Sequence, residues 1–204
     1  MKRKISIIML IAAACFVSCT KKNSVAISGT FDNLANEKIA IEQKTASLMF
    51  FLDSVQINGN GKFSTTVNLR TAEPAFLSIK NKNGKQLFML LAENGEKINI
   101  KYEKGSYAID GSQGSAYVKE LSETLNRTAV SMDSLSKIIN NEKASNDDLL
   151  SAKTALTKFF IAQKRNNIKF IVNNPKSYAS IFALYQQYPN GTKIFSEEND
   201  FLFY

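Results

Sequence analysis

Near Ile109-Asp110-Gly111-Ser112 the spacing of apolar residues changes from two to about 3.6, which divides the chain into a strand-built and a helix-built part. Upstream, residues 25–31 alternate with Val25, Ile27 and Phe31 to one side, and residues 38–43 alternate with Ile39 and Ile41 inward. Residues 48–57 form a longer apolar stretch. Asn58-Gly59-Asn60-Gly61 turns it into residues 62–67, which reads as a hairpin. Residues 75–79 and 87–91 flank a second polar turn, and residues 97–102 alternate strictly. Short strands at this spacing predict an antiparallel β-sandwich or small barrel over residues 25–111.

Downstream, Val118, Leu121, Leu125, Met132, Leu135 and Ile139 fall at offsets of 3, 4, 7, 3 and 4, the apolar stripe of one helix. Residues 140–144 break it. Ser145 with Asp148 resembles a capping box with Asp in place of Glu and opens a second helix, whose apolar face carries Leu149, Ala152, Leu156, Phe159, Phe160, Ile168, Ile171 and Val172. The two predict an antiparallel hairpin with its loop far from the sheet. Pro175 stops the second helix and Ser177 can cap a third, with Tyr178, Ile181, Phe182, Tyr185 and Tyr188 on its buried side before a turn at Tyr188-Pro189-Asn190-Gly191. Ser196-Glu197-Glu198 reads as a further helix start, with Phe201, Leu202, Phe203 and Tyr204 in its first apolar turns. A helix with a good start and no body suggests that residues 112–204 are a helical segment truncated before a following domain. The expected fold class is therefore α+β: an N-terminal antiparallel β-sandwich or small barrel followed by an α-helical hairpin and further short helices.

The first two dozen residues address the location. Lys2, Arg3 and Lys4 precede an apolar run over residues 5–17 broken only by Ser6, and Ser18, Cys19 and a polar stretch follow. This is a secretory signal, too short to remain as a membrane-spanning helix. Phe16-Val17-Ser18-Cys19 resembles the lipobox of bacterial lipoproteins, which implies a signal peptide over residues 1–18, lipid on Cys19 and a short tether over residues 19–24. Cutting before Cys15 leaves a short apolar region, and an ordinary secretory cut that frees Cys19 is the other reading. More than one acyl chain on Cys19 makes attachment effectively permanent.

Removing residues 1–18 takes three of the 26 basic residues and none of the 18 acidic ones, so the net charge falls from +8 to +5. An exported chain meets no chromosome, which excludes nucleic acid as a partner and leaves the membrane, reached through Cys19. The residues after Cys19 are basic rather than acidic, which favours an outer-membrane anchor facing the periplasm. Of the two cysteines only Cys19 survives processing, and the chain has no histidine. No Ser-His-Asp or Cys-His pair, no Cys-x-x-Cys and no usual zinc set can be built, so neither catalysis nor a cofactor is expected.

Leu52-Asp53-Ser54-Val55, Asn60-Gly61-Lys62-Phe63, Asn94-Gly95-Glu96-Lys97-Ile98, Asp110-Gly111-Ser112 and Asn174-Pro175-x-Ser177-x-x-Ser180 follow the lipobox in order. Together they resemble the N-terminal domain of unknown function (family 4369) of Bacteroides-group thioredoxin-like lipoproteins, over roughly residues 24–204. In that family the chemistry belongs to a following domain with Trp-Cys-x-x-Cys. This chain has no Trp and no second mature Cys, so no catalytic residue carries over. The resemblance implies a lipid-anchored, non-catalytic accessory or binding module, with a thioredoxin-like domain or envelope protein as partner. The alternative is the N-terminal portion of a membrane-tethered thiol–disulfide oxidoreductase whose catalytic domain lies beyond this chain.

Asp53-Ser54-Val55 and Asp133-Ser134-Leu135 resemble Asp-Ser-apolar sites of O-glycosylation in exported proteins of that group, at Ser54 and Ser134. A strand edge and a solvated helix face explain them more simply. Asp147-Asp148 fits the first turn of a helix better than a metal pair. Lys153, Lys158, Lys164, Arg165 and Lys169 scatter around their helix, as on an ordinary solvated surface. Phe159, Phe160, Phe170, Tyr178, Phe182, Tyr185 and Tyr188 fit core spacing better than a ligand groove.

Overall fold

Alternation in the strand-built part and the 3.6 period beyond it give eight strands and three helices in the computed structural model, which describes residues 23–196. In chain order these are β1 (Ser24–Phe31), β2 (Lys38–Lys44), β3 (Met49–Gln56), β4 (Lys62–Asn68), β5 (Ala75–Asn81), β6 (Gln86–Ala92), β7 (Lys97–Glu103), β8 (Ser106–Asp110), α1 (Gln113–Ile139), α2 (Asn146–Asn173) and α3 (Ala179–Leu184). The expected signal peptide, Cys19 and the helix beyond Ser196 lie outside the described residues.

The strands make two four-stranded sheets, β4-β1-β7-β8 and β3-β2-β5-β6, packed as an open sandwich rather than a closed barrel. The inward residues named from the alternation, Val25, Ile27, Phe31, Ile39 and Ile41, are all buried at its centre. Phe31 sits among Phe63, Phe88 and Tyr102, with ring centroids 5.2, 6.2 and 5.2 Å away.

Two features of the sheets differ from the sequence reading. The turn over residues 58–61 is not the turn of a paired hairpin: β3 pairs with β2, and β4 pairs with β1 in the other sheet. Its local chemistry is that of a chain reversal, with the Asn58 carboxamide oxygen accepting from the Asn60 and Lys62 amides at 3.0 and 2.9 Å. What separates the strands is β1. The Phe31 amide donates to the Gly61 carbonyl at 2.8 Å, and β4 continues along β1 from there. Gly61, at φ +74°, is required because a Cβ would collide with the Phe31 carbonyl oxygen. The second difference is that β1 and β7 run parallel, from Ala26 beside Lys97 to Phe31 beside Tyr102. The other strand pairings are antiparallel. β8, which the apolar pattern does not announce, follows a two-residue turn in which Lys104 and Gly105 both have positive φ.

Serine caps both long helices, at Ser112, which the sequence reading did not name as a cap, and at Ser145, which it did. The Ser112 hydroxyl accepts from the Ser115 amide, and Ser145 accepts from the Asp148 amide, at 3.2 and 3.1 Å. α1 and α2 are antiparallel: Tyr117 meets Phe170 edge-on at 5.1 Å, and Thr128 meets Gln163 midway. The opening of α1 buries Gly114, Ser115, Val118 and Leu121. The predicted apolar face of α2 holds only in part. Phe159, Ile168 and Val172 are exposed, while Gln163 and Asn167 are buried. α3 differs likewise. Ile181 and Tyr185 face solvent, and the small residues Ala179, Ser180 and Ala183 are its contact side. Ser177 caps it less formally, its hydroxyl accepting from the Ala179 amide at 3.2 Å.

Candidate functional site

The helical arm packs on the sandwich through Phe182 of α3 against Phe76 of β5, and it is fastened by hydrogen bonds at Leu91 of β6. Leu91 is a buried edge residue whose amide donates to the Ser115 hydroxyl at 3.1 Å. Its carbonyl accepts from the hydroxyls of Ser115 and Ser112 at 2.9 and 3.1 Å. Gly114 lies on the Leu91 side chain, where an added Cβ would stand 3.0 Å from Cδ2. The start of α1 thus satisfies a strand edge that would otherwise be open. Beside this joint Tyr107 of β8 stacks on Phe88 with centroids 4.5 Å apart, and Lys119 of α1 lies 5.6 Å over a ring face. Lys119 pairs with Glu123 at 2.6 Å. Burial, with Glu123 adding its charge, pushes the Tyr107 phenol up to about 12.

A buried chain of amides holds the arm together. The Thr128 hydroxyl donates to Gln163 Oε1 at 2.8 Å, and Gln163 Nε2 donates to Asn167 Oδ1 at 2.9 Å. Asn167 Nδ2 then donates to the Ala183 carbonyl at 2.8 Å and to Gln186 Oε1 at 2.9 Å. These residues escaped the sequence reading, yet Leu156, Phe160, Gln163, Asn167 and Ile171 follow one another at helical spacing. A polar residue on an apolar stripe was the signal.

A concavity lies further along the arm. It is a cleft of about 470 Å³ between the far halves of α1 and α2 and the turn after α3. Ala129, Met132, Leu156, Phe160 and Tyr188 supply its apolar wall, and Asn190 and Thr192 belong to the turn at its edge. That turn is fixed by the Tyr188 amide donating to the Thr192 carbonyl at 2.9 Å and the Gly191 amide to the Tyr188 carbonyl at 2.8 Å. Tyr188 is only 4% exposed, and its hydroxyl is buried without a hydrogen-bond partner. Burial raises its pKa above the ordinary phenol value.

The residues singled out in the sequence are not brought together. Ser54 is exposed on β3, an edge strand, and the Asp53 carboxylate accepts from the Ser54 amide at 2.7 Å and the Thr65 hydroxyl at 2.5 Å. Ser134 is exposed on α1 and donates to the Val130 carbonyl at 3.1 Å, while Asp133 pairs with Lys137 at 2.8 Å. Asp148 accepts from the Ser145 hydroxyl at 2.6 Å within its own helix start. Phe160 and Tyr188 do line the cleft; Phe159 and Tyr185 are exposed. No helix among the described residues is long and apolar enough to cross a membrane.

Residues 25–119 match the sequence model of a family described as a Domain of unknown function (DUF4369). The match runs from the first strand into the opening turns of α1. No curated protein matches the chain. Among solved structures, the crystal structure of a 9R-lipoxygenase from Cyanothece PCC8801 is similar at 10% identity and a TM-score of 0.26. The alignment covers 52% of this chain and 23% of that one, and at that score the likeness carries no argument.

Proposed function

We propose that this chain, with a domain of unknown function at residues 25–119, is a lipid-anchored protein of the cell envelope that serves as a non-catalytic accessory or binding module. The observation that carries the reading is the joint at Leu91. Ser112 and Ser115 fasten α1 to β6 through buried bonds, so the arm is held at a set angle to the sandwich. α1 has 27 residues and so extends roughly 40 Å from that joint. Ser24, where β1 begins, is five positions after Cys19, a tether of roughly 18 Å at full extension. Lipid on Cys19 would hold the sandwich close to the membrane, on the periplasmic side of the outer membrane, while the arm spaces or presents a partner. The resemblance of the sequence supports a thioredoxin-like domain or an envelope protein in that place. Ser54 and Ser134, both exposed, are positions where a glycan could be attached without disturbing packing.

The test is the intact mass of the native protein extracted from cell membranes, followed by peptide mapping. The expected species is residues 19–204 with a lipid adduct, with hexose increments on peptides containing Ser54 or Ser134 if those serines carry glycan. A product larger by a domain with Cys-x-x-Cys would transfer the chemistry to a tethered oxidoreductase. A mass without lipid, or with residues 1–18 retained, overturns the anchor.

A further inference from the structure

We infer that the outward face of α2 docks on an anionic lipid surface, with the helix lying in the plane of the membrane. Leu150, Ile161, Ile168 and Val172 follow one another at offsets of 11, 7 and 4, so they share one line along the helix. They are 67, 42, 44 and 69% exposed, on the side turned away from buried Ala152, Gln163 and Asn167. From Leu150 to Val172 the line runs about 33 Å. Single exposed apolar residues are ordinary, but a row of four along one helix marks a surface that something covers.

The charges beside this line are of one sign. Lys158, Arg165 and Lys169 stand three positions before Ile161, Ile168 and Val172 respectively, and all three are exposed. They form a basic row along one border, and none of them pairs with a carboxylate among the described residues. Lys153 and Lys164 stand three positions after Leu150 and Ile161 and border the other side, Lys164 lying 5.7 Å over the Phe195 ring. The acids of α2, Asp147 and Asp148, are confined to its first turn, and residues 149–173 contain none. Glu120 of α1 lines a groove together with Lys169 but does not pair with it. An apolar strip bracketed by long basic side chains is the form of a helix that lies in a bilayer interface. Its strip enters the acyl boundary, and its cations reach the headgroup phosphates. An acidic protein would have to match the bases with carboxylates along the whole row, whereas anionic headgroups arrange themselves beneath it. Such a helix does not cross the membrane, and none among the described residues is apolar enough to do so. The inference does not depend on lipid at Cys19, which would only bring the face closer.

The chain contains no tryptophan, so Ile168→Trp and Val130→Trp each introduce a single reporter. Val130 is 69% exposed on α1, two positions from Thr128, and so lies on the side turned from α2. The whole protein as extracted from cells is mixed with vesicles of brominated phosphatidylcholine, alone or with an equal part of phosphatidylglycerol, and tryptophan emission is recorded. With phosphatidylglycerol present, emission from Ile168→Trp should shift to the blue and fall by about half. Val130→Trp should keep its emission. Quenching of Ile168→Trp should drop about threefold in phosphatidylcholine alone, and equally when Lys158→Glu, Arg165→Glu and Lys169→Glu are combined with it. Those three exposed side chains hold no ion pair among the described residues, so the urea midpoint should not move. Equal quenching at both reporter positions would mean that an anchor alone holds the protein at the vesicle, and would overturn the docking face. Absence of quenching at Ile168→Trp, or quenching indifferent to phosphatidylglycerol and to the three glutamates, would overturn it as well. A blue shift with polyglutamate and none with vesicles would assign the face to an acidic protein instead.

Discussion

Asn167 has no exposed surface, and its side-chain oxygen and nitrogen are both engaged: Oδ1 accepts from Gln163, and Nδ2 donates to the Ala183 carbonyl and to Gln186. Replacing it with alanine would leave a buried amide nitrogen and two buried oxygens without partners in one step. An orphaned buried polar group costs on the order of 1–3 kcal/mol, and three of them in one small cavity share some relaxation. Asn167→Ala should therefore lose about 4 kcal/mol of unfolding free energy in a urea titration, with the slope against denaturant unchanged. Thr128→Val at the far end deprives only Gln163 Oε1 of its donor, and should lose about 1 kcal/mol. Comparable losses at both positions would mean that the amides do not act as a chain. The residue pattern made these positions visible as interruptions of an apolar stripe. It could not say that the interruptions face one another, because Gln186 is contributed by the segment after another helix.

For elements, the decisive contact is the serine pair at the start of α1. Ser115→Ala keeps the helix and its Ser112 cap but leaves the Leu91 amide buried without an acceptor. Native-state hydrogen exchange should report this directly. The Leu91 amide should lose protection by about tenfold to a hundredfold, while amides in the centre of the sandwich, such as Ile41 and Leu77, keep theirs. Uniform loss across both sheets would mean that the joint is part of the global core rather than a local fastening. Sequence made the elements more legible than their pairing. Strands β1, β2 and β7 follow from alternation, and both long helices from period, the second also from its Ser145 cap. The reversal at residues 58–61 was equally clear, but turn chemistry specifies that a chain turns, not which strand it then joins. The parallel pairing of β1 with β7 leaves no local trace, and β8 has only Tyr107, Ala108 and Ile109 as apolar residues.

At the scale of the whole molecule the cleft was illegible for a related reason. It needs α1, α2 and the turn after α3 to converge, and in the sequence Tyr188 reads as one more helical core aromatic. The joint between sandwich and arm shares that origin, and it also carries a titratable group. Tyr107 lies between β8, Phe88 of β6, and the Lys119–Glu123 pair of α1. Its phenol is raised to about 12 from an ordinary 10 by burial, with Glu123 adding repulsion. Between those values the unfolded chain has given up a proton that the folded chain still holds. Stability from this group is therefore intact below pH 10 and falls as pH rises towards 12. Two pKa units correspond to under 3 kcal/mol, and the remaining exposure of the ring brings the expected loss to about 2 kcal/mol. Lysines and other tyrosines titrate in the same window, so the wild type alone does not isolate the effect. Tyr107→Phe keeps the ring, its stacking on Phe88 and its contact with Lys119, and removes the proton. The difference in unfolding free energy between the two proteins should shift by about 2 kcal/mol against the wild type from pH 10 to pH 12. Parallel stability curves would place the hydroxyl in water. A divergence of the expected sign would show that the folded chain buries that phenol in its neutral form.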